Sequence, residues 1–115
     1  MDSRKAFLDN LAKTSPHPLM IEIAKAEGTF IYDKSGKRYY DLISGIAVTN
    51  IGHRHPKVVE AVKTQVDNYM HVMAYGEFIQ APQNELATRL TAQLPKTLDC
   101  CYFVNSGAEA NEGAL

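Results

Sequence analysis

The sequence lacks any bias in charge. Twelve basic and 13 acidic side chains among 115 residues leave a formal net charge of −1. A chain of this composition gives no electrostatic reason to expect nucleic acid or an anionic membrane surface as a partner. We therefore expect a protein that binds neither.

Long apolar runs are also missing, and cysteines are few. No run approaches the roughly 20 residues that a membrane span needs, and the first residues hold no apolar stretch that would act as a signal peptide. The two cysteines, Cys100 and Cys101, are neighbours in a run of strand-forming residues, where their side chains would point to opposite faces. A disulfide between them is therefore not expected, and a reducing compartment is the simpler assumption. We expect a globular protein of the cytoplasm.

Short-range signals predict a small sheet near the amino terminus. Apolar and polar residues nearly alternate, and DKSG at 33–36 is a typical turn between two strands. These features predict a three-stranded antiparallel meander over residues 20–42. Residues 43–55 show no period and contain two glycines, which predicts a loop.

The rest of the chain predicts two helices and one strand. Pro56 suits a first helical position, and apolar residues then recur at intervals of three and four to about His71. A second helix is predicted from Pro82, with a buried stripe that ends at Pro95. The continuous run CCYFV at 100–104 predicts a strand that is covered on both faces. The apolar stripes consist of Val58, Val62, Val66, Tyr69 and Met70 in the first helix and of Leu86, Leu90 and Leu94 in the second.

The strand-to-helix step NSGAE at 105–109 is the sharpest candidate site. Gly107 removes a side chain where a ligand would approach the backbone, and the first N–H groups of a helix are unpaired and carry partial positive charge. With the Ser106 hydroxyl as a further donor, these groups predict an anion site. An alternative needs no ligand, because Ser106 and Glu109 have the spacing of a capping box. Spacing alone leaves both interpretations open.

A second candidate is the sequence GHRHP at 52–56. Its two histidines resemble metal ligands, but a structural zinc site needs four ligands, and the remaining histidines and cysteines supply no set. We therefore favour a tight turn before the helix, in which His53 or His55 acts as an anchor through hydrogen bonds. Among the tyrosines only Tyr75, in a glycine-containing loop, is considered for a site.

The carboxy-terminal part of the sequence predicts an unfinished unit. A helix predicted from Ser106 stops after barely two turns without a C-capping signal. A covered strand that runs into a helix is half of a βαβ unit, and a parallel sheet needs further strands. We expect the front part of a larger protein. Residues 1–55 would form an amino-terminal segment that contains the meander, and residues 56–115 would form the start of a large domain that is incomplete here.

Three segments in order resemble a known family. They are YDLISGIAV at 40–48, GHRHPKV at 52–58 and NSGAEANE at 105–112. Together they resemble the amino-terminal part of the class III pyridoxal-phosphate-dependent aminotransferases, and most of all the acetylornithine aminotransferase-like group. The resemblance extends from about residue 16 to residue 115. It implies an α/β fold, namely the amino-terminal part of a fold-type-I transferase, and a homodimer.

The resemblance also assigns site residues. It implies that Ser106, Gly107 and Ala108 hold the phosphate of the cofactor pyridoxal 5′-phosphate, with the cofactor-binding large domain starting in 56–115. Ile46 falls where the family shapes the substrate entrance. Enzymes that resemble ornithine δ-aminotransferase carry tyrosine there, so isoleucine fits acetylornithine or 4-aminobutyrate enzymes better.

The implied activity is transfer of an amino group from an ω-amino acid, such as N-acetylornithine, to 2-oxoglutarate. A 4-aminobutyrate or related aminotransferase is the alternative. The family's Schiff-base lysine has no counterpart among the eight lysines, so the resemblance implies no catalytic residue here and an inactive chain of 115 residues. Hypotheses of another class are a non-catalytic phosphate-binding module and a structural fragment that associates with a partner chain.

Overall fold

The computed structural model describes residues 2–73 and 76–115, which form one small sheet and five helices. These residues fall into two compact units, Met1–Met70 and His71–Leu115. The predicted division between 55 and 56 concerns the domains of a whole protein and stays a prediction. In chain order the elements are α1 (Ser3–Asn10), β1 (Ile23–Glu27), β2 (Phe30–Asp33), β3 (Arg38–Tyr40), the single turn α2 (Ser44–Ala47), α3 (Pro56–Asn68), α4 (Ala81–Thr91) and α5 (Gly107–Ala114).

The predicted meander is confirmed. Strands β1, β2 and β3 pair in that order, and both pairings are antiparallel. On one face the rings of Phe30 and Tyr40 lie 4.6 Å apart between their centroids, and the Arg38 guanidinium lies 4.3 Å from the centre of the Phe30 ring. Cross-strand pairs of this kind stabilise a sheet that has few strands.

The turn between β2 and β3 is built around one carboxylate. Asp33 Oδ1 accepts hydrogen bonds from the Ser35 N–H (2.9 Å), the Ser35 hydroxyl (2.6 Å) and the Lys37 N–H (3.0 Å), and Oδ2 accepts one from the Tyr39 hydroxyl (2.9 Å). Gly36 has φ +86°, a conformation that glycine adopts without steric cost. The turn predicted from DKSG at 33–36 is therefore confirmed, and the structure shows that the Asp33 carboxylate fixes it.

Helix α3 begins at Pro56 as predicted and ends at Asn68, and its apolar stripe is not buried. Val58, Val62 and Val66 are about half exposed, and Met70, which follows the helix, is 83% exposed. Within the Met1–Met70 unit no other described helix or strand packs against this face. An amphipathic pattern specifies which face a helix can bury, whereas the burial itself requires a second surface.

For α4 the predicted burial of the apolar stripe is wrong. Its predicted stripe of Leu86, Leu90 and Leu94 is between 43% and 49% exposed, and the helix ends at Thr91, before Pro95. No residue in the described part of the chain is fully buried. Both units therefore present apolar side chains without an interior core to receive them.

The predicted strand at 100–104 is also wrong for this structure. These residues form no described strand, and Tyr102 is 83% exposed, while Phe103 and Val104 are each 38% exposed. A strand exists through hydrogen bonds to a neighbour, and the described part of the His71–Leu115 unit contains no other strand to supply them. Cys100 and Cys101, in this segment, are both free thiols.

Candidate functional site

The start of α5 has the geometry of a capping box. Ser106 is the N-cap residue in extended conformation, and its Oγ accepts a hydrogen bond from the Glu109 N–H (3.2 Å). In return Glu109 Oε2 accepts hydrogen bonds from the Ser106 N–H (3.1 Å) and the Asn105 N–H (2.7 Å). The spacing of Ser106 and Glu109 predicts this arrangement, and the structure contains it.

The cap leaves a second set of donors unused. The N–H groups of Gly107 and Ala108, the first two helical residues, donate to no acceptor among the described residues. The Ser106 hydroxyl proton likewise has no acceptor among the described residues, since the Ser106 oxygen acts as an acceptor in the cap. A Cβ placed on Gly107 would meet no atom within 4 Å beyond the adjoining residues and the helix backbone, so the space beside this residue is open. Ser106, Gly107 and Ala108 therefore present donors that fit a phosphate group. These donors are not the N–H groups that are hydrogen-bonded in the cap.

The second place of interest is α2, which is left-handed. Its four residues have positive φ: Ser44 52°, Gly45 59°, Ile46 59° and Ala47 66°. Left-handed backbone costs a residue with a side chain roughly 1–2 kcal/mol, and a β-branched residue there is a true outlier. Ile46 is such a residue and is 87% exposed. Strain of this kind is typical of functional segments whose surroundings hold them in place.

A carboxylate at the entry to α2 supplies part of that hold. Asp41 Oδ1 accepts hydrogen bonds from the Ser44 N–H (2.8 Å) and the Ile43 N–H (3.2 Å). Its other oxygen, Oδ2, accepts a hydrogen bond from His53 Nε2 at 2.7 Å. The two side chains are mostly buried, at 14% and 19% exposure. The hydrogen bond from His53, followed by that from the Ser44 N–H, holds the pKa of Asp41 below its usual range.

The backbone around His53 is fixed to the sheet. His53 N–H donates to the Gly28 carbonyl (2.7 Å), and Gly28 N–H donates to the His53 carbonyl (3.1 Å). Gly52 has φ +89°, and a Cβ there would lie 3.2 Å from the Gly28 oxygen. The Asp41 N–H donates to the Thr29 carbonyl (2.9 Å). Both ends of the loop therefore meet at the connection between β1 and β2.

These contacts confirm the prediction of a tight turn anchored by a histidine, and the anchor is His53. The partner, Asp41, is missed by spacing, since 12 residues separate the two side chains. The available signal was a carboxylate three residues before Ser44, the separation at which Asp caps a turn. His55 Nδ1 is buried and has no hydrogen-bond partner within residues 2–73 and 76–115.

The predicted site residues lie in both units. Ser106, Gly107 and Ala108 are brought together at the start of α5, in His71–Leu115, whereas Ile46 lies in Met1–Met70. Tyr75 lies outside the described residues. In the part of the chain that the structure describes, no group of three or more His, Cys, Asp and Glu side chains is placed to hold a metal ion. The described helices include none with the length and hydropathy of a membrane-spanning segment.

Comparison with known sequences decides the family. The profile of the family described as "Aminotransferase class-III" matches residues 11–115. The chain belongs to this family. It is 48% identical over 95 residues to the acetylornithine aminotransferase of Bacillus amyloliquefaciens, a match that covers 83% of this chain and 40% of that protein. It is 43% identical over 97 residues to the acetylornithine aminotransferase of Methanocaldococcus jannaschii, which covers 84% of this chain and 23% of that protein.

A solved structure shows the same fold. The crystal structure of acetylornithine aminotransferase from Elizabethkingia anophelis matches with a TM-score of 0.79 and 34% identity, over 96% of this chain and 27% of that chain. This class III chain therefore folds as a part of the fold-type-I, pyridoxal-phosphate-dependent aminotransferases. It spans about a quarter to two fifths of the length of the relatives named here.

Proposed function

We propose that the full-length protein is a pyridoxal-phosphate-dependent aminotransferase that transfers an amino group from an ω-amino acid, such as N-acetylornithine, to 2-oxoglutarate. The observation that carries this proposal is the start of α5, where two N–H groups and a hydroxyl have no acceptor among the described residues and the space beside Gly107 is open. Membership of the class III family and similarity to acetylornithine aminotransferases support it. A related structure, the taurine:2-oxoglutarate aminotransferase of Bifidobacterium kashiwanohense in complex with PLP and glutamate, supports the cofactor and the acceptor.

In this proposal Ser106, Gly107 and Ala108 hold the cofactor phosphate. The N–H groups of Gly107 and Ala108 and the hydroxyl of Ser106 donate hydrogen bonds to a dianion, and the partial positive charge of the helix start adds to the attraction. The absence of a side chain at Gly107 lets the phosphate approach the backbone. When bound, the cofactor supplies an electron sink for the carbon that carries the amino group. This chain's contribution is to fix the cofactor's position.

We propose that Ile46 shapes the entrance for the amino-group donor. Its side chain is apolar, exposed and carried on a turn whose conformation is fixed by the surrounding structure. Such a side chain gives an entrance a defined shape without adding a charge. An N-acetylated or otherwise uncharged part of an ω-amino acid would pass it more readily than a second ammonium group. A 4-aminobutyrate aminotransferase is the alternative that fits the same side chain.

Assembly of the full-length protein as a homodimer is part of the proposal. Large apolar side chains on both units are exposed, including Leu42, Ile43, Ile46 and Tyr102. Apolar surface on this scale is typical of chains that bury it against further protein. Sedimentation of the full-length protein is expected to show a dimer whose mass does not change on dilution, and a monomer would contradict this part.

The activity is tested by assaying the full-length protein with 2-oxoglutarate as acceptor and N-acetylornithine or 4-aminobutyrate as donor. Formation of glutamate that depends on added pyridoxal phosphate is the expected result. A higher kcat/KM with N-acetylornithine would support the first assignment, and a higher value with 4-aminobutyrate would support the alternative. No transfer with either donor would contradict the proposal.

A further inference from the structure

Residues 41–53 form a loop whose two ends are joined by side chains as well as by backbone. At one end Asp41 follows β3, and at the other His53 pairs with the backbone of Gly28. The hydrogen bond between Asp41 Oδ2 and His53 Nε2 closes the loop at 2.7 Å. Left-handed α2 lies within this closed loop. The loop is therefore attached to the meander at one place.

The residues of α2 do not favour the left-handed conformation by themselves. Gly45 adopts it freely, but Ser44, Ile46 and Ala47 are strained in it. Within the turn the Ile43 carbonyl accepts hydrogen bonds from the Ile46 and Ala47 N–H groups, at 3.0 and 3.4 Å. The Ser44 carbonyl accepts hydrogen bonds from the Val48 and Thr49 N–H groups. Asp41 adds a side-chain hold at the entry, where its carboxylate accepts hydrogen bonds from two consecutive N–H groups, those of Ile43 and Ser44.

We propose that Asp41 and His53 are positioning residues for the amino-group donor: together they hold α2 in its left-handed conformation and so fix where the Ile46 side chain stands. This inference rests on the proposed function, because it takes Ile46 to line the donor's entrance. His53 contributes through Asp41. Its backbone is fixed to Gly28, and its ring therefore fixes the carboxylate relative to the sheet.

The two oxygens of Asp41 allow graded variants. Asp41→Ala removes both the cap of α2 and the bond to His53. Asp41→Asn keeps an oxygen that accepts from the Ile43 and Ser44 N–H groups, and its effect is expected to be smaller. His53→Ala removes the anchor, and His53→Gln restores an N–H donor at a similar distance from the backbone. A positioning role predicts partial rescue by both conservative variants.

Asp33 supplies the matched control. It is another carboxylate of the same meander that accepts from two backbone N–H groups and from side-chain hydroxyls, but it builds the turn at 33–36. Asp33→Ala therefore removes a comparable set of hydrogen bonds without touching α2. We expect Asp33→Ala to leave kcat/KM for the amino donor unchanged.

The decisive experiment is a double-mutant cycle between Asp41 and Ile46 in the full-length enzyme. Asp41→Ala is expected to lower kcat/KM for the amino donor about 5- to 30-fold in the wild-type background. In the Ile46→Ala background the same change is expected to have almost no further effect, because no side chain remains to be positioned. His53→Ala in place of Asp41→Ala is expected to give the same pattern, and it serves if the first variant does not fold.

The outcomes separate this inference from the proposed function. Equal losses from Asp41→Ala in both backgrounds, or an equal loss from Asp33→Ala, would overturn the positioning role while transamination itself stood. An absence of turnover with N-acetylornithine and 4-aminobutyrate in the wild-type enzyme would overturn the proposed function, and this inference with it. Loss in the wild-type background only, with rescue by Asp41→Asn and His53→Gln, supports the inference.

Discussion

The meander with its loop and the segment from 100 to 115 differ in whether their backbone groups find hydrogen-bond partners nearby in the chain. In the first region β1, β2, β3 and the loop at 41–53 pair with one another across short stretches of chain. In the second, residues 100–104 form no described strand, and two N–H groups at the start of α5 have no acceptor in the part of the chain that the structure describes. An antiparallel meander is complete with its own turns, whereas a strand of a parallel sheet needs partners that are distant in sequence.

The comparison shows two different uses of local hydrogen bonds, one in each unit. The amino-terminal region holds a strained turn in place with contacts that it contains itself. The carboxy-terminal region presents donors that remain available to a ligand, because the capping box satisfies only the Asn105, Ser106 and Glu109 N–H groups. One unit therefore contains a turn that its own contacts hold in place, and the other contains backbone donors that a ligand could use.

The largest effect expected from this comparison concerns the chain of 115 residues by itself. We expect no amino transfer from N-acetylornithine or 4-aminobutyrate to 2-oxoglutarate, because no lysine in it stands in the family's context for holding the cofactor and moving the proton. The full-length protein assayed alongside is the control. Turnover by the 115-residue chain that an inhibitor of pyridoxal enzymes abolishes would contradict this prediction.

A substitution at Gly107 would sharpen the comparison by removing the free site while keeping the fold. Gly107→Val in the full-length protein is expected to weaken cofactor binding more than about 100-fold, since a branched side chain would occupy the space the phosphate needs. The melting temperature of the apo form is expected to change little, because the position is open.

Gly113→Ala in the same helix is the control for the Gly107 variant. A Cβ there makes only ordinary contact, 3.5 Å from the Tyr102 ring, and affinity is expected to stay as in wild type. Unchanged affinity in Gly107→Val would show that the phosphate does not approach this backbone.

Two glycines in the amino-terminal region test whether its contacts are self-contained. Gly36 and Gly52 have nearly the same φ, +86° and +89°, but only at Gly52 would a Cβ crowd the Gly28 carbonyl, at 3.2 Å. Alanine is expected to cost about 1–2 kcal/mol at Gly36 and roughly 1–3 kcal/mol more at Gly52 from overpacking. Hydrogen exchange of the His53 amide measures the opening free energy. Equal effects of the two variants on that amide would contradict the close approach.

Local chemistry explains what the sequence could predict. The turn at 33–36 and the start of α3 at Pro56 depend on residues within a few positions, and both are correct. The same is true of the capping box at Ser106. Burial of the α3 and α4 stripes, like pairing of a strand at 100–104, depends on surfaces and strands elsewhere. The sequence patterns therefore predict which side chains are apolar, but not which surface buries them. Sequence patterns do not predict left-handed α2, because Ser44, Ile46 and Ala47 disfavour this conformation and tertiary contacts hold them in it.

The smallest effect concerns the pH range over which the 33–36 turn persists. The hydrogen bond from the Ser35 hydroxyl, ahead of those from the Tyr39 hydroxyl and the Lys37 and Ser35 N–H groups, lowers the pKa of Asp33 from its ordinary value of 3.8. A lowered pKa in the folded state means that the stabilisation is complete above pH 3.8 and is lost as pH falls through the lower folded value. The carboxyl carbon of Asp33, followed by NMR, is expected to titrate below 3.8.

Ser35→Ala gives the control for that titration. It removes the largest of the interactions that lower the pKa of Asp33, so the midpoint is expected to move back towards 3.8. A wild-type midpoint at or above 3.8 would contradict the hydrogen-bonding pattern of the turn.

The central claim is that Ser106, Gly107 and Ala108 bind the cofactor phosphate with donors that the capping box leaves free. Its most direct test is a titration of pyridoxal phosphate into full-length wild-type and Ser106→Ala protein, with a melting curve for each apo form and Ser106→Thr as the variant that keeps a hydroxyl. A charge-assisted hydrogen bond of about 1.5–3 kcal/mol predicts that Ser106→Ala weakens binding roughly 10- to 150-fold. Loss of the cap in Ser106→Ala is expected to lower the free energy of unfolding of the apo form by about 1 kcal/mol. Unchanged affinity with a lowered melting temperature would contradict the claim and leave Ser106 as a helix cap only.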